Sequence, residues 1–501
     1  MSDNHSETKS ARTTKRSMFA RKPRLALLGM VGLLSAMAAC GASEDDDSAS
    51  LDSALADMNE GNFWDKLTTQ LARFGDGLTG PSSWTAPDQA NRWTMHFTPT
   101  RVGQENGLLG DADLFQKLAA DIQRIQETLE KKNSGAFARA FHAKPHACVK
   151  GQFFVHVPDD IVTRTKLPAD TSIDSLKVGL FRDSASPYDV WVRWSNGVGG
   201  KNRPDGEVDV RGLALKVLGV EGPRLPDGPR YFHQQEGTQD ILMTNGATTP
   251  APNSETFAAF GLAQAKMAGA EGPFEKLGAL KNFFKYLVAN PRVGSTLVYA
   301  VLPNTKHHDS VLEQTFFTGG ALALGIDDLG HARQAMKISA QGGIWKPAAS
   351  GIPGQGTCES VASHDQNPAD FALPGGDPVG GSGNPDYLST GVRGVKSTLA
   401  KSPLCIDVRV QFQRHDAAML AAQTQPIEDT SVEWRTADSP FVSVGTIIID
   451  RRDDPSAEEA ECNELSWNPW HGLVEHRPLG NIMRVRQEVL AASAQKRGAR
   501  Q

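Results

Sequence analysis

Apolar residues recur at three- and four-residue steps through Leu114, Phe115, Leu118, Ile122, Ile125 and Leu129, which predicts an amphipathic helix over 112–131. A shorter helix at 62–74 follows from Phe63, Trp64, Leu67, Leu71 and Phe74. Past Cys148 the period drops to two. Phe153, Val155 and Val157 alternate with Gln152, Phe154 and His156, and Val190, Val192 and Trp194 alternate with Trp191, Arg193 and Ser195. Leu213, Leu215 and Val217 follow Arg211, and further strands are expected at 406–412 and 441–449. Helices are expected at 255–270 and 274–289, with a last surface helix at about 480–497. The Gly/Pro-rich stretch from Pro347 to Pro385 keeps no period and reads as a long loop. Strands dispersed among helices in this way predict an α+β protein built on antiparallel sheet, with a barrel as one way of closing it.

The N-terminus has a different grammar. Lys9, Arg12, Lys15, Arg16, Arg21, Lys22 and Arg24 precede an uncharged apolar run from Leu25 to Ala39. That run is shorter than the roughly 20 residues a membrane span needs, so it reads as a secretory signal. It ends Ser35-Ala36-Met37-Ala38-Ala39-Cys40, and small residues before a cysteine resemble a bacterial lipobox, in which Cys40 is lipidated and anchors the chain to a membrane. A plain signal peptide with an incidental Cys40 is the simpler alternative. The expected organisation is a leader at 1–40, an acidic tether at 41–55 and a helical segment at 56–135. A barrel domain then fills 136–455 with the loop at 347–385, and a wrapping segment with a helix closes the chain at 456–501. Export to the periplasm or outer membrane is the localisation this implies.

Composition narrows the class. The chain has 501 residues, and 52 basic against 58 acidic side chains leave a net charge of −6, which gives no footprint for nucleic acid. With 39% apolar residues the chain can build a large core. Cys148, Cys358, Cys405 and Cys462 would sit in an oxidising space, as two disulfides in one of three connectivities or as buried thiols.

Single residues carry little chemistry until their order is considered. The series Arg-Ala-Phe-His-Ala-Lys (139–144), Val-Arg-Trp-Ser-Asn-Gly (192–197), Asp-Val-Arg-Gly-Leu-Ala-Leu-Lys-Val (209–217) and Thr-Gln-Asp-Ile-Leu-Met-Thr-Asn (238–245) resembles the catalase-related haem proteins. So do Pro426-Ile427-Glu428-Asp429, Ser439-Pro440-Phe441 and the tail Trp467-Asn468-Pro469-Trp470-His471 with Glu475-His476-Arg477-Pro478-Leu479-Gly480. The resemblance covers about 136–490 and implies a catalase-like antiparallel β-barrel with surrounding helices around haem b.

Carried over by motif, His142 is the acid–base group above the iron, Asn245 the amide that hydrogen-bonds the peroxide, and Ser195 the hydroxyl that orients the imidazole. Arg139 and Arg193 would pair with the haem propionates, and Phe141 would pack on the porphyrin. The implied substrate is hydrogen peroxide or an organic or lipid hydroperoxide. One departure stands out. The segment Glu313-Gln314-Thr315-Phe316-Phe317-Thr318-Gly319-Gly320 places Phe316 where the family motif carries its axial tyrosine, and Ala323 where it carries an arginine. His307, His308 and His331 are the nearest substitute ligands. Two functions follow: a haem-dependent oxidoreductase weakened at its axial position, or a haem-free or inactive relative with a binding or structural role. The tail at 467–480 is expected to serve packing.

Overall fold

The computed structural model describes residues 111–133, 139–182, 186–197, 204–206, 209–225, 237–269, 272–289, 293, 308, 310–328, 332–361, 384–414 and 424–499. The signal, the tether, the helix at 62–74, His307 and His331 lie outside the described residues.

The strands are β1 (Pro145–Val155), β2 (Tyr188–Asn196), β3 (Arg211–Val217), β4 (Gln239–Thr244), β5 (Thr315–Thr318), β6 (Ala321–Ile326), β7 (Ala332–Pro347), β8 (Gly356–Ser360), β9 (Leu404–Phe412), β10 (Val442–Ile449) and β11 (Pro478–Leu479). Their pairing runs β7-β5-β4-β3-β2-β1-β10-β9 and closes with β9 back on β7, so eight antiparallel strands form a barrel. The 16-residue β7 makes the closure possible: residues 336–344 pair with β9, while its other edge takes β5 and β6 in succession. The described helices are α1 (Asp111–Asn133), α2 (Ser254–Gly269), α3 (Gly272–Ala289), α4 (Glu459–Glu464) and α5 (Asn481–Lys496), besides single turns. An α+β protein with an antiparallel barrel and surrounding helices is what the sequence predicted.

Alternation decides which residues fill the barrel. Val190, Val192 and Trp194 of β2, Leu213, Leu215 and Val217 of β3, and Ile406, Val408 and Val410 of β9 join one buried cluster with Phe153, Met243, Phe316, Met336 and Phe412. The interior is a packed core of large side chains and leaves the chemistry to the outer wall. Outward positions of the same strands are also buried, beneath the chain's C-terminal third. Trp191 packs with Cys148, Cys462, Leu465 and Trp467.

The tail at 467–480 is the clamp. Lys216 on β3 pairs with Asp240 on β4 at 2.7 Å, and Asp240 also accepts from the Asn468 backbone at 3.0 Å and lies 3.4 Å from His471 Nδ1. Trp470 Nε1 donates to the Met483 carbonyl at 2.7 Å, tying the tail to α5. Further on, His476 Nε2 accepts from the Leu180 backbone at 2.7 Å, a close approach that glycine allows at Gly179. Glu428 accepts from the Asn481 backbone at 2.9 Å and from Arg484 at 2.7 Å, placing a carboxylate at the start of α5. α1 lies along α5, where Gln123 and Gln126 donate to the Ala492 and Ser493 carbonyls at 3.2 and 3.1 Å.

Of the two states the sequence left open to the four cysteines, the structure has the disulfides: Cys148 is joined to Cys462 and Cys358 to Cys405, with Cα separations of 5.9 and 5.7 Å. One sequence expectation needs correction. The stretch 347–385 is not all loop, because β8 pairs residues 356–360 with the end of β7. Its Gly-Thr-Cys-Glu-Ser sequence is largely solvent-exposed and lacks the apolar face that would have announced a strand.

Lys337 is an outward residue of β7 and buried, 4.9 Å from the Trp434 ring, and its Nζ has no hydrogen-bond partner among the described residues. Burial pushes its pKa down to about 8, with Glu433 and Asp429 pulling the other way. The folded amine loses its proton near pH 8 and the unfolded one near pH 10.4, so Lys337 costs stability below pH 8 and that cost fades as pH rises between the two values. Lys337→Met should raise the Tm at pH 7, by about 1–3 kcal/mol of stability, and flatten the alkaline rise; denaturation at stepped pH measures both.

Candidate functional site

His142 sits just before β1, in the left-handed region at φ 56°, a conformation uncommon for a residue with a side chain. Its backbone N–H donates to the Gly197 carbonyl at 2.9 Å, and its Nδ1 lies 2.6 Å from the Asn196 carbonyl and 3.3 Å from Ser195 Oγ. A carbonyl only accepts, so Nδ1 carries the proton and Nε2 keeps the lone pair. Burial holds the pKa down at about 4; Arg193 and Arg486 add to this, against the Asn196 carbonyl and Asp209. The ring is a neutral base with one tautomer.

The seat depends on a missing side chain. Gly212 pairs with Ser195 on one side and Thr244 on the other, and a Cβ there would meet His142 Nδ1 at 2.4 Å and Ser195 Oγ at 2.8 Å. Ser195 points outward, opposite to the inward Trp194. Asn245 follows β4 at the same end of the wall. Its Oδ1 accepts from the Arg211 backbone at 2.8 Å and its Nδ2 donates to Gln314 Oε1 at 2.7 Å, which fixes the carboxamide plane. Phe141 turns toward α2, with its ring centroid 6.5 Å from that of Phe257 and its edge 3.4 Å from where a Gly261 Cβ would stand.

Both sequence-predicted arginines are here, with a third. Arg193, 3% exposed, donates to the His142 carbonyl at 2.9 Å and reaches Asn463 Oδ1 at 3.5 Å. Arg139 donates to the Asn463 and Leu465 carbonyls, both at 3.0 Å. Arg497 donates to the same two carbonyls at 3.0 and 2.5 Å. Among the described residues, no carboxylate lies within ion-pair distance of any of the three. Burial lowers all their pKa values, with mutual repulsion adding at Arg139 and Arg193 and Glu459 pulling the other way at Arg193. A fourth cation, Arg486 on α5, is lowered by burial to about 10 and rests against Met483 Sδ at 3.4 Å. Arg486 comes within 3.2 Å of where a Gly319 Cβ would stand.

Sequence reasoning missed Arg497 and Arg486. In Gln495-Lys496-Arg497-Gly498, Arg497 reads as a solvated helix end, and only the packing of α5 brings it inward.

The expectation for Phe316 does not survive. Its ring is fully buried inside the barrel with Trp194 and Phe412, whereas His142, Ser195 and Arg193 lie on the outer face. A side chain inside the wall cannot underlie a flat group seated against an imidazole outside it. Ala323, the other substituted position, packs with Trp434 and Ile427 in a separate cluster. His308, suggested as a substitute ligand, lies 3.9 Å from Glu313 instead.

Comparison with solved structures finds catalases. A fungal catalase matches with a TM-score of 0.46 and 16% identity, covering 78% of this chain and 63% of its own. A bacterial catalase gives 0.45, 18%, 78% and 61%, and catalase A from Saccharomyces cerevisiae gives 0.46, 15%, 78% and 65%. The chain therefore spans less than two thirds of the length of these catalases. At this level the likeness says nothing about the site. No family model and no curated relative matches the chain.

The Gly212 seat gives a direct test. Gly212→Ala should push the His142 ring off β3 toward water, so that in an NMR titration its pKa moves from about 4 toward the 6.5 of a solvated histidine. An unchanged titration would contradict the seat.

Proposed function

We propose that this chain is a catalase-like barrel protein whose outer-wall site takes haem b by its carboxylates and acts on hydrogen peroxide or an organic hydroperoxide. The observation that carries the reading is the group of Arg139, Arg193 and Arg497, three guanidiniums gathered beside His142 with backbone carbonyls and one amide oxygen as their recorded acceptors. Cations brought together at such a cost in repulsion and desolvation suit a dianionic ligand edge.

The fit to haem is one-sided. Arg139, Arg193 and Arg497 match two propionates, Phe141 offers an apolar ring, and His142 with Ser195 supplies the acid–base face. The described residues provide no phenolate below. Tyr286 donates to the Thr256 carbonyl at 2.7 Å, and burial pushes its pKa up to about 12. Tyr387 donates to the Asp205 carbonyl at 3.3 Å, and Tyr188 lies at the far end of β2 from Ser195. Bound haem would supply redox chemistry; the chain's own part is proton handling. Nε2 of His142, unprotonated at neutral pH, takes a proton from the hydroperoxide oxygen nearest to it and returns it to the departing oxygen. Ser195 and the Asn196 carbonyl keep the tautomer through the transfer, and Asn245 hydrogen-bonds the substrate from its fixed plane.

A haem-free binding role is the second reading, favoured by the lack of a phenolate in place among the described residues; Tyr231 and Tyr299 lie outside them. Export with lipid anchoring through Cys40 belongs to the proposal as well, and the two disulfides support an oxidising compartment.

Titration of the purified protein with haemin separates the readings. The proposal expects a Soret band that saturates at one equivalent, with affinity reduced about tenfold or more by Arg193→Leu. His142→Ala should leave that affinity in place and lower peroxide turnover by about 10²–10⁴-fold. No Soret change at any haemin concentration would leave the haem-free reading standing.

A further inference from the structure

We infer that Asn463, pinned by the Cys148–Cys462 disulfide, is the positioning residue that sets the three arginines into a wall selective for a dicarboxylate ligand; this rests on the ligand class proposed above. Asn463 touches all three. Its carbonyl accepts from Arg139 and Arg497, each at 3.0 Å, and its Oδ1 faces Arg193 Nε at 3.5 Å. The Leu465 carbonyl, two residues on, takes a second bond from Arg139 and from Arg497. These acceptors belong to the C-terminal end of α4, where unsatisfied carbonyls and the negative end of the helix dipole attract cations.

A six-residue helix has little stability of its own, so something else must hold its end in place. The disulfide does this at the residue beside Asn463. Cys462 is fully buried and bonded to Cys148 on β1, and Cys148 stands directly opposite Arg193 in the β1–β2 ladder. Trp191, Leu465 and Trp467 close over the sulfurs. One covalent link therefore fixes the acceptor platform to the strand pair that carries Arg193, and Arg193 in turn holds the His142 carbonyl.

Glu459 at the start of α4 pulls on Arg193 from beyond ion-pair distance and is itself paired with Lys396, so the acceptors that touch the arginines are neutral, and that is informative. The side chain at 463 faces Arg193, so a carboxylate there would satisfy that guanidinium more strongly and make the fold more stable, yet it would cancel part of the charge available to a ligand. An amide oxygen and carbonyls orient the arginines without neutralising them, which suits a wall that still has an anion to receive. Asn463 acts through the arginines and is not itself a catalytic residue.

The test uses metal-free protoporphyrin IX and its dimethyl ester, so that carboxylate recognition is read without iron ligation. Wild-type full-length protein should bind the free acid at least about tenfold more tightly than the ester by fluorescence titration. Asn463→Asp should raise the Tm while losing most of that preference, with ester binding unchanged. Cys148→Ser/Cys462→Ser should lose the preference too, in a fold verified by circular dichroism. Equal preference in wild type and Asn463→Asp overturns the inference, as does an equal loss of acid and ester binding. If wild type binds neither porphyrin, the ligand class fails instead, and the positioning claim is read from His142. With Arg193 released by Asn463→Leu, the His142 pKa should rise in an NMR titration of the ligand-free protein, and no rise refutes the positioning role.

Discussion

Positive charge held together with no carboxylate in ion-pair contact among the described residues is the constraint on which the site depends. Arg139, Arg193 and Arg497 repel one another, are drawn out of water, and among the described residues hydrogen-bond only to neutral dipoles, while Glu459 pulls on Arg193 from beyond ion-pair distance. Dipoles orient cations and do not cancel them. The same charge acts on His142, where Arg193 and Arg486 reinforce burial in keeping the imidazole neutral. The neutral imidazole and the arginine group are thus two results of one arrangement, joined physically where Arg193 donates to the His142 carbonyl.

The barrel divides the molecule into two environments. Its interior is filled by Trp194, Phe153, Phe316 and Phe412, so the strands act as a rigid wall and not as a container. Everything polar that matters is on the outside, buried by the C-terminal segment and the helices. This explains the number of outward residues that are charged and yet buried, such as Arg193, Lys216, Asp240 and Lys337. The wrapping tail is held through Asp240 and His476, and the same segment delivers Asn463, Arg486 and Arg497 to the site.

How much of this could be read from the chain varied with which face each strand presents. β1, β2, β3, β9 and β10 carry clean alternation, and the helices at 111–133, 254–269, 272–289 and 481–496 show their periodicity. β7 was harder, because Lys337, Ser339 and Gln341 alternate with apolar residues on a face where Lys337 is buried against Trp434, and its glycines blur the pattern. The residues around His142 were legible as an ordered series of motifs. Phe316 was misplaced because motif register gives a position along the chain and not the side of the sheet it faces; alternation sets Phe316 and Phe317 apart without saying which is inside. Arg497, Asn463 and the disulfide pairing had no local signal, since their meaning arises from contacts far along the chain, from 32 residues between Arg497 and Leu465 to 324 between Arg139 and Asn463.

The central claim concerns where a flat, dianionic ligand sits, and a crystal structure of the protein grown with saturating haemin tests it most directly. The account predicts difference density on the outer wall, with its carboxylates within hydrogen-bond distance of Arg139, Arg193 and Arg497 and one face toward His142 Nε2. Density elsewhere on the molecule, or none beside those arginines at saturation, would contradict it.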